Sequence, residues 1–179
     1  MNNLNKQLLE SFNASINTNN PTLSCYLWLD YIATIQDNKI KGNLFEYFSY
    51  YILLYHPNYK DYFDKLYIWD LIPASIIKKY KLTVQDKGLD ILGIKDNKLI
   101  GIQCKYRSNS EQVISYGDMA TFPAYLKLKN IESGILITNC SLINNDLREA
   151  TSIFSIYGSG FWDTVTDHFM EQLKLLLKD

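Results

Sequence analysis

Asp90, Gln103 and Lys105 are polar residues set into two apolar runs, Leu89 to Ile94 and Leu99 to Ile102, which are joined by Lys95-Asp96-Asn97-Lys98. A carboxylate such as Asp90 suits a hard divalent cation. The carbonyl oxygen of Gln103 can add to the same coordination shell, and the backbone carbonyl of Cys104 lies between the two side chains. An ammonium such as that of Lys105 can orient a water or offset charge that develops on a phosphate. These residue types together supply what hydrolysis of a phosphodiester requires.

Two strands and a tight turn must position them. Asp96-Asn97 fits a two-residue hairpin loop, because Asn and Asp tolerate left-handed backbone. Lys95 then faces Lys98, and the same count puts Asp90 opposite Gln103. Residues opposed in this way have Cβ atoms roughly 4.5–5.5 Å apart. Lys105 lies two residues beyond Gln103 and shares its face.

The rest of the chain reads as helices around a few strands. Residues 4–17, 21–36 and 42–55 carry helical patterns, with Pro21 suited to a first turn and His56-Pro57-Asn58 as a stop. Residues 66–71 read as a strand and 73–80 as short helix. Ser115-Tyr-Gly-Asp118 has capping-box spacing, opening a helix to about Lys129 kinked at Pro123. Gly134 to Thr138 is a buried strand, 144–150 a short helix, 153–157 a strand and 161–178 a long amphipathic helix. This order predicts an α/β fold with a central mixed sheet of about four to five strands flanked by helices.

Composition narrows the classes. The chain has 179 residues, 47% of them apolar, enough for one domain with a full core. The division expected is an N-terminal helical extension (1–36), a core (40–157) and a C-terminal helix (160–179). Three separated cysteines with no CxxC argue against zinc and for reduced thiols in an intracellular compartment. No signal core opens the sequence. The aromatic run Leu44–Tyr55 is too short for a membrane span and contains Glu46. Net charge is −1, yet residues 78–107 hold eight of the 18 basic side chains and three acids. That local excess can attract phosphate; solvated lysines on a turn are the plainer reading.

Gly88-Leu-Asp90 followed by Gln103-Cys-Lys105 resembles the PD-(D/E)xK nuclease superfamily, the restriction-endonuclease-like fold. The pattern is most similar to Mrr-like endonuclease domains found fused to restriction helicases. Tyr67-Ile-Trp-Asp-Leu-Ile-Pro73, Tyr106-Arg107 and Gly134-Ile-Leu-Ile-Thr-Asn139 extend the likeness over roughly residues 40–150. Glu46 matches an acidic residue that this family carries on a helix before the core. The resemblance implies a DNA endonuclease dependent on Mg²⁺ or Mn²⁺. Asp90, Glu46, Gln103 and the Cys104 carbonyl would hold the metal, and Lys105 would assist the attack. Arg107, Lys87 and Tyr106 would contact DNA. Superfamily nucleases often pair, so a homodimer is one expected assembly. No GxxxxGK[ST] loop is present, so any helicase or ATPase module lies on another polypeptide or on a part of the natural protein outside this sequence.

Gln103 stands where the superfamily usually has Asp or Glu, and a neutral amide is the weaker Mg²⁺ ligand. This gives weight to Glu46 and keeps an alternative open, a degenerate nuclease fold that binds DNA or assembles with protein. Each residue also has a structural reading: Asp90 capping a turn or pairing with Lys87 or Lys105, Gln103 as a satisfied buried amide, Lys105 and Arg107 at the surface, Glu46 bonded to a phenol. Asp86, Ser115, Tyr116 and Thr138 fit turn, cap and core roles. His56 and His168 have no partner pattern for a histidine-based mechanism.

Overall fold

The apolar runs on either side of Asp96-Asn97 form the expected hairpin in the computed structural model of the chain, which describes residues 3–16, 21–82, 88–129, 131–149 and 154–178. Five strands make one sheet: β1 (Lys65–Ile68), β2 (Ile91–Lys95), β3 (Lys98–Lys105), β4 (Ser133–Thr138) and β5 (Phe154–Tyr157). They lie side by side in chain order. The β1–β2 and β2–β3 pairs are antiparallel, and the β3–β4 and β4–β5 pairs are parallel. The sheet is therefore mixed, as the element order predicts.

The hairpin register is the one its turn dictates, from Lys95 opposite Lys98 to Ile91 opposite Ile102. Asp96 (φ 50°) and Asn97 (φ 61°) both take left-handed backbone, which matches the twist of the flanking strands. Asp64 locks this end, accepting the Asp96 N–H at 2.7 Å and donating its own N–H to the Ile94 carbonyl at 2.8 Å.

Strand alternation splits the core between the two faces. Ile91, Ile100, Ile102, Ile135 and Ile137 face α1 (Asn3–Ser15), α2 (Cys25–Thr34) and α3 (Asn38–Tyr55). Leu92, Ile94, Leu99 and Leu136 pack with Phe122, Tyr125 and Leu126. These three aromatic and aliphatic residues come from α6 (Thr121–Leu128). With α5 (Tyr116–Met119) it makes the crossover between the parallel strands β3 and β4.

An aromatic seam fixes α3 over the sheet. Phe12, Trp28 and Phe48 from the three N-terminal helices meet with centroids 4.3–5.8 Å apart. Phe45 and Phe48 continue onto Trp162, whose indole N–H donates to the Thr138 carbonyl at 2.7 Å. Trp28 finds Ser11 Oγ at 2.9 Å, so the Trp28 and Trp162 indoles each keep a polar partner. The N-terminal helices thus share one core with the sheet.

Several boundaries differ from the sequence reading. The second helix starts at Cys25, after Ser24 in extended backbone, and not at Pro21. The third starts at Asn38, because the Asp37 side chain caps the N–H groups of Lys39 and Ile40. The strand expected over 66–71 ends at Ile68, and Trp69–Leu71 turn as 3₁₀ helix. The helix after Ser115 breaks at Ala120, ahead of Pro123. That proline has no N–H for the Met119 carbonyl, so α5 ends there and Pro123 falls in the first turn of α6. The C-terminal helix is two: α8 (Ser159–Trp162) and α9 (Asp167–Leu176), the second capped by Thr166 on the Phe169 N–H. The remaining helices are α4 (Ala74–Tyr80) and α7 (Asn145–Glu149).

At Gly101 the side chains between the sheet and α6 leave no room for a Cβ. A Cβ there would lie 2.6 Å from Leu126 Cδ2 and 2.8 Å from Leu89 Cδ2, both in the buried core. Gly101→Val is expected to destabilise the fold by about 1–3 kcal/mol through overpacking. Urea unfolding followed by circular dichroism measures this; an unchanged midpoint would show that α6 gives way freely.

Candidate active site

Strand β3 runs on after β2 stops. The antiparallel ladder ends at Ile91 opposite Ile102, while β3 continues to Lys105 along β4 alone. Asp90 fills the gap. Its N–H donates to the Ile102 carbonyl at 2.9 Å, although Ile91 is already the partner of Ile102. Two residues thus address one, as in a β-bulge. Asp90 is therefore not laddered opposite Gln103 as the turn count implies. The bend frees its side chain to act along the strand. Oδ2 of Asp90 accepts the Cys104 N–H at 2.6 Å, and its backbone carbonyl accepts the Trp69 N–H at 2.8 Å.

Backbone groups of successive strand residues point to alternate sides. Lys105 directs its carbonyl to β4, where Thr138 Oγ1 donates at 2.8 Å. Cys104 directs its groups to the side vacated by β2, and Asp90 takes the N–H. The Cys104 carbonyl leaves the strand on that same side, beside the Asp90 carboxylate.

Gln103 and Asp90 line a cleft of about 540 Å³ with Gly88, Thr121 and Tyr125. Gly88 (φ 83°) makes room for the amide: a Cβ there would stand 2.9 Å from Thr121 Oγ1 and 3.4 Å from Gln103 Nε2. Among the described residues, Gln103 Oε1 is a buried side-chain oxygen with no hydrogen-bond partner. Such an oxygen costs about 1–3 kcal/mol unless something satisfies it. An oxygen-seeking divalent cation fits that atom, and the neighbouring Asp90 carboxylate and Cys104 carbonyl are ligands of the right kind.

Glu46 approaches from the opposite face. Burial pushes the Cys104 thiol well up from its usual pKa, the charges of Asp90 and Glu46 push it further, and the Ser49 hydroxyl opposes them. Both carboxylates therefore lie within electrostatic reach of one sulfur at the strand end. Among the described residues no three His, Cys, Asp or Glu side chains gather as a metal cluster.

The cations are organised by a residue that sequence reasoning treated only as a cap. Asp118 completes the capping box with Ser115, its Oδ2 accepting from the Ser115 N–H and hydroxyl at 3.0 and 2.9 Å. Its Oδ1 pairs with Arg107 Nη2 at 2.7 Å, and its backbone carbonyl accepts from Lys105 Nζ at 3.4 Å. The hint in the sequence was the acid at the third helical position, whose second oxygen a capping box leaves over. Asn139 grips the Arg107 backbone at both ends, accepting its N–H and donating to its carbonyl. Tyr106 turns inward, donating to the Leu29 carbonyl at 2.9 Å and resting on Phe45. Lys87 and Asp86 lie outside the described residues.

The basic excess of residues 78–107 does not form one patch. Lys98 pairs with Glu132 at 2.7 Å and Lys95 sits over the Tyr62 ring, both at the turn end of the hairpin. About 20 Å of strand separates them from Lys105. Thr138 and Ser115 are structural, as expected, and His56 is occupied with the Thr164 carbonyl and the Asn58 N–H.

The restriction endonuclease family Mrr_cat_2 matches this chain over residues 54–156. Asp90, Gln103, Lys105 and Asp118 fall inside that span and Glu46 outside it. No curated protein matches the chain. Among solved structures it resembles the "ATP-dependent Type ISP restriction-modification enzyme LlaBIII bound to DNA", with a TM-score of 0.57 and 21% identity. The likeness covers 75% of this chain and 8% of that one, so it is a likeness of fold to a small part of a much longer protein.

Hydrogen bonds from Ser115 hold the Asp118 carboxyl below the usual range, with Arg107 and Lys105 acting in the same direction. A carboxyl whose folded pKa is depressed stabilises the fold above its unfolded pKa, about 3.9, and this is lost as pH falls through the lower folded value. Asp118→Asn is therefore expected to be less stable than wild type near neutral pH, with the gap closing below about pH 4. Urea unfolding across that range reads it; a gap that persists in acid would rule out charge linkage.

Proposed function

The chain belongs to the Mrr_cat_2 restriction endonuclease family, and on that premise we propose that it is a divalent-metal-dependent DNA endonuclease of the PD-(D/E)xK type. The observation that carries this reading is the unpartnered, buried Oε1 of Gln103 next to the Asp90 carboxylate at the overhanging end of β3. Asp90, Gln103 Oε1 and the Cys104 carbonyl would hold Mg²⁺ or Mn²⁺, with Glu46 as the second carboxylate. When bound, the cation supplies Lewis-acid charge to the phosphate and makes nearby water more acidic.

The side chains do the rest. Lys105 orients the attacking water or offsets charge building on the phosphate oxygens. Its anchor is the backbone carbonyl of Asp118, which takes one of the three ammonium donors and leaves two for water or phosphate. Arg107 donates one N–H of its five to Asp118 and keeps others for a backbone phosphate. DNA is the substrate of this reading, supported by the family and by the DNA-bound state of the structural relative. That relative is an ATP-dependent restriction-modification enzyme of which this fold is a small part. We read the chain accordingly as the nuclease module of a larger restriction or helicase system.

The neutral Gln103 favours a second reading, a nuclease fold that holds DNA without cutting it. Two measurements separate them. Asp90→Asn and Lys105→Ala are each expected to lower Mg²⁺-dependent cleavage of a DNA duplex by about 10²–10³-fold; undiminished cleavage by both would sink the nuclease assignment. Gln103→Glu is expected to tighten Mg²⁺ binding about tenfold by calorimetry, since a carboxylate replaces an amide as ligand. If wild type retains DNA but neither binds Mg²⁺ or Mn²⁺ nor turns over, the second reading stands.

A further inference from the structure

We propose that the cleft between the start of α3 and the loop after β3 binds a phosphate of the nucleic-acid strand other than the one being cut. The inference rests on the reading of the chain as a DNA nuclease. The cleft has a volume of about 500 Å³, and Cys104 and Lys105 in its wall follow directly along β3 from Gln103, which lines the cleft of the reacting centre. Lys41 and Gly42 enter it from α3, Lys105 from the end of β3, and Arg107, Ser108 and Asn109 from the loop that follows. Among the described residues no Asp or Glu lines it. The cleft that holds Asp90 and Gln103 has no cation in its lining. The two clefts on either side of the strand end are thus electrically opposite, and a strand seated at the reacting centre would continue into the cationic one.

Lys41 is the residue that makes this a phosphate site. Its Nζ donates to Ser108 Oγ at 2.8 Å, a bond that joins helix to loop and fixes the ammonium at the cleft. An ammonium has three donors, so two remain for an anion. Arg107, the other cation that anchors this cleft through its guanidinium, shares its charge with Asp118. No carboxylate lies within ion-pair distance of Lys41 among the described residues. Asp37 already takes the N–H groups of Lys39 and Ile40, so the attraction comes from side-chain charge and not from the helix end. Gly42 keeps the wall open, since a Cβ there meets no atom within 4 Å.

Fluorescence anisotropy with a labelled DNA duplex in EDTA reads binding without cleavage. Lys41→Ala is expected to raise Kd about tenfold and to lower the slope of log Kd against log salt by about 1, the loss of one phosphate contact. Gly42→Glu puts a carboxylate into open space at no cost in helix propensity, and is expected to weaken binding further. Lys6→Ala removes an equal charge from the exposed side of α1 and is expected to bind as wild type does. Wild-type affinity in both cleft variants overturns the inference, as does an equal loss in Lys6→Ala. Failure of wild type to bind the duplex also overturns it. The nuclease reading is decided separately, by cleavage in Asp90→Asn and Lys105→Ala.

Discussion

A strand that outlasts its neighbour must find other partners for its backbone. Here β3 extends through Gln103, Cys104 and Lys105 without β2 beside it, and Asp90 answers with a side-chain oxygen where a strand would have offered a carbonyl. The rest of the site depends on this substitution. It ties the carboxylate to the backbone of the residues whose side chains flank it. It also leaves a main-chain carbonyl facing the same side. The 3₁₀ turn at Trp69 belongs to the same arrangement, because its first N–H is what the Asp90 carbonyl accepts.

The fold and the site make opposite demands on the same sheet. Away from the strand end, polar groups are satisfied one by one: the Trp28 and Trp162 indoles and the caps of α3 and α9. At the strand end a buried amide oxygen is unmatched, and a thiol is wedged between two carboxylate fields. An orphan oxygen of this kind costs a noticeable part of a typical stability of about 5–15 kcal/mol. Such local violations concentrate where a fold has a task besides holding itself together.

The hairpin was legible because it rests on counting. Strand alternation and two Asx residues in left-handed backbone fix the register with no tertiary information. The identity of Asp90, Gln103 and Lys105 as a group followed from that. What the count could not show was the bulge, which depends on Trp69 arriving from β1 to take the Asp90 carbonyl. Asp118 was readable as a cap, but its bonds to Lys105 and Arg107 join residues on different elements. Lys41 lies ahead of the apolar pattern that begins at Gly42, and only the Asp37 cap brings it into the helix. The break between α8 and α9 was hidden for another reason. Phe161, Val165, Phe169 and Leu173 are all buried at four-residue spacing, so the apolar stripe runs straight through a turn.

The Asp96-Asn97 turn lies about 20 Å of strand from Asp90 and Gln103, yet it sets which face of the sheet each strand residue takes. Because side chains alternate, a single residue gained or lost in that turn would exchange the two faces of one strand relative to the other. The face that now carries Gln103 would be presented to α3, and the isoleucines to the cleft. The turn therefore works as a measuring device. This module should tolerate wide variation in the composition of its exposed hairpin tip and almost none in its length.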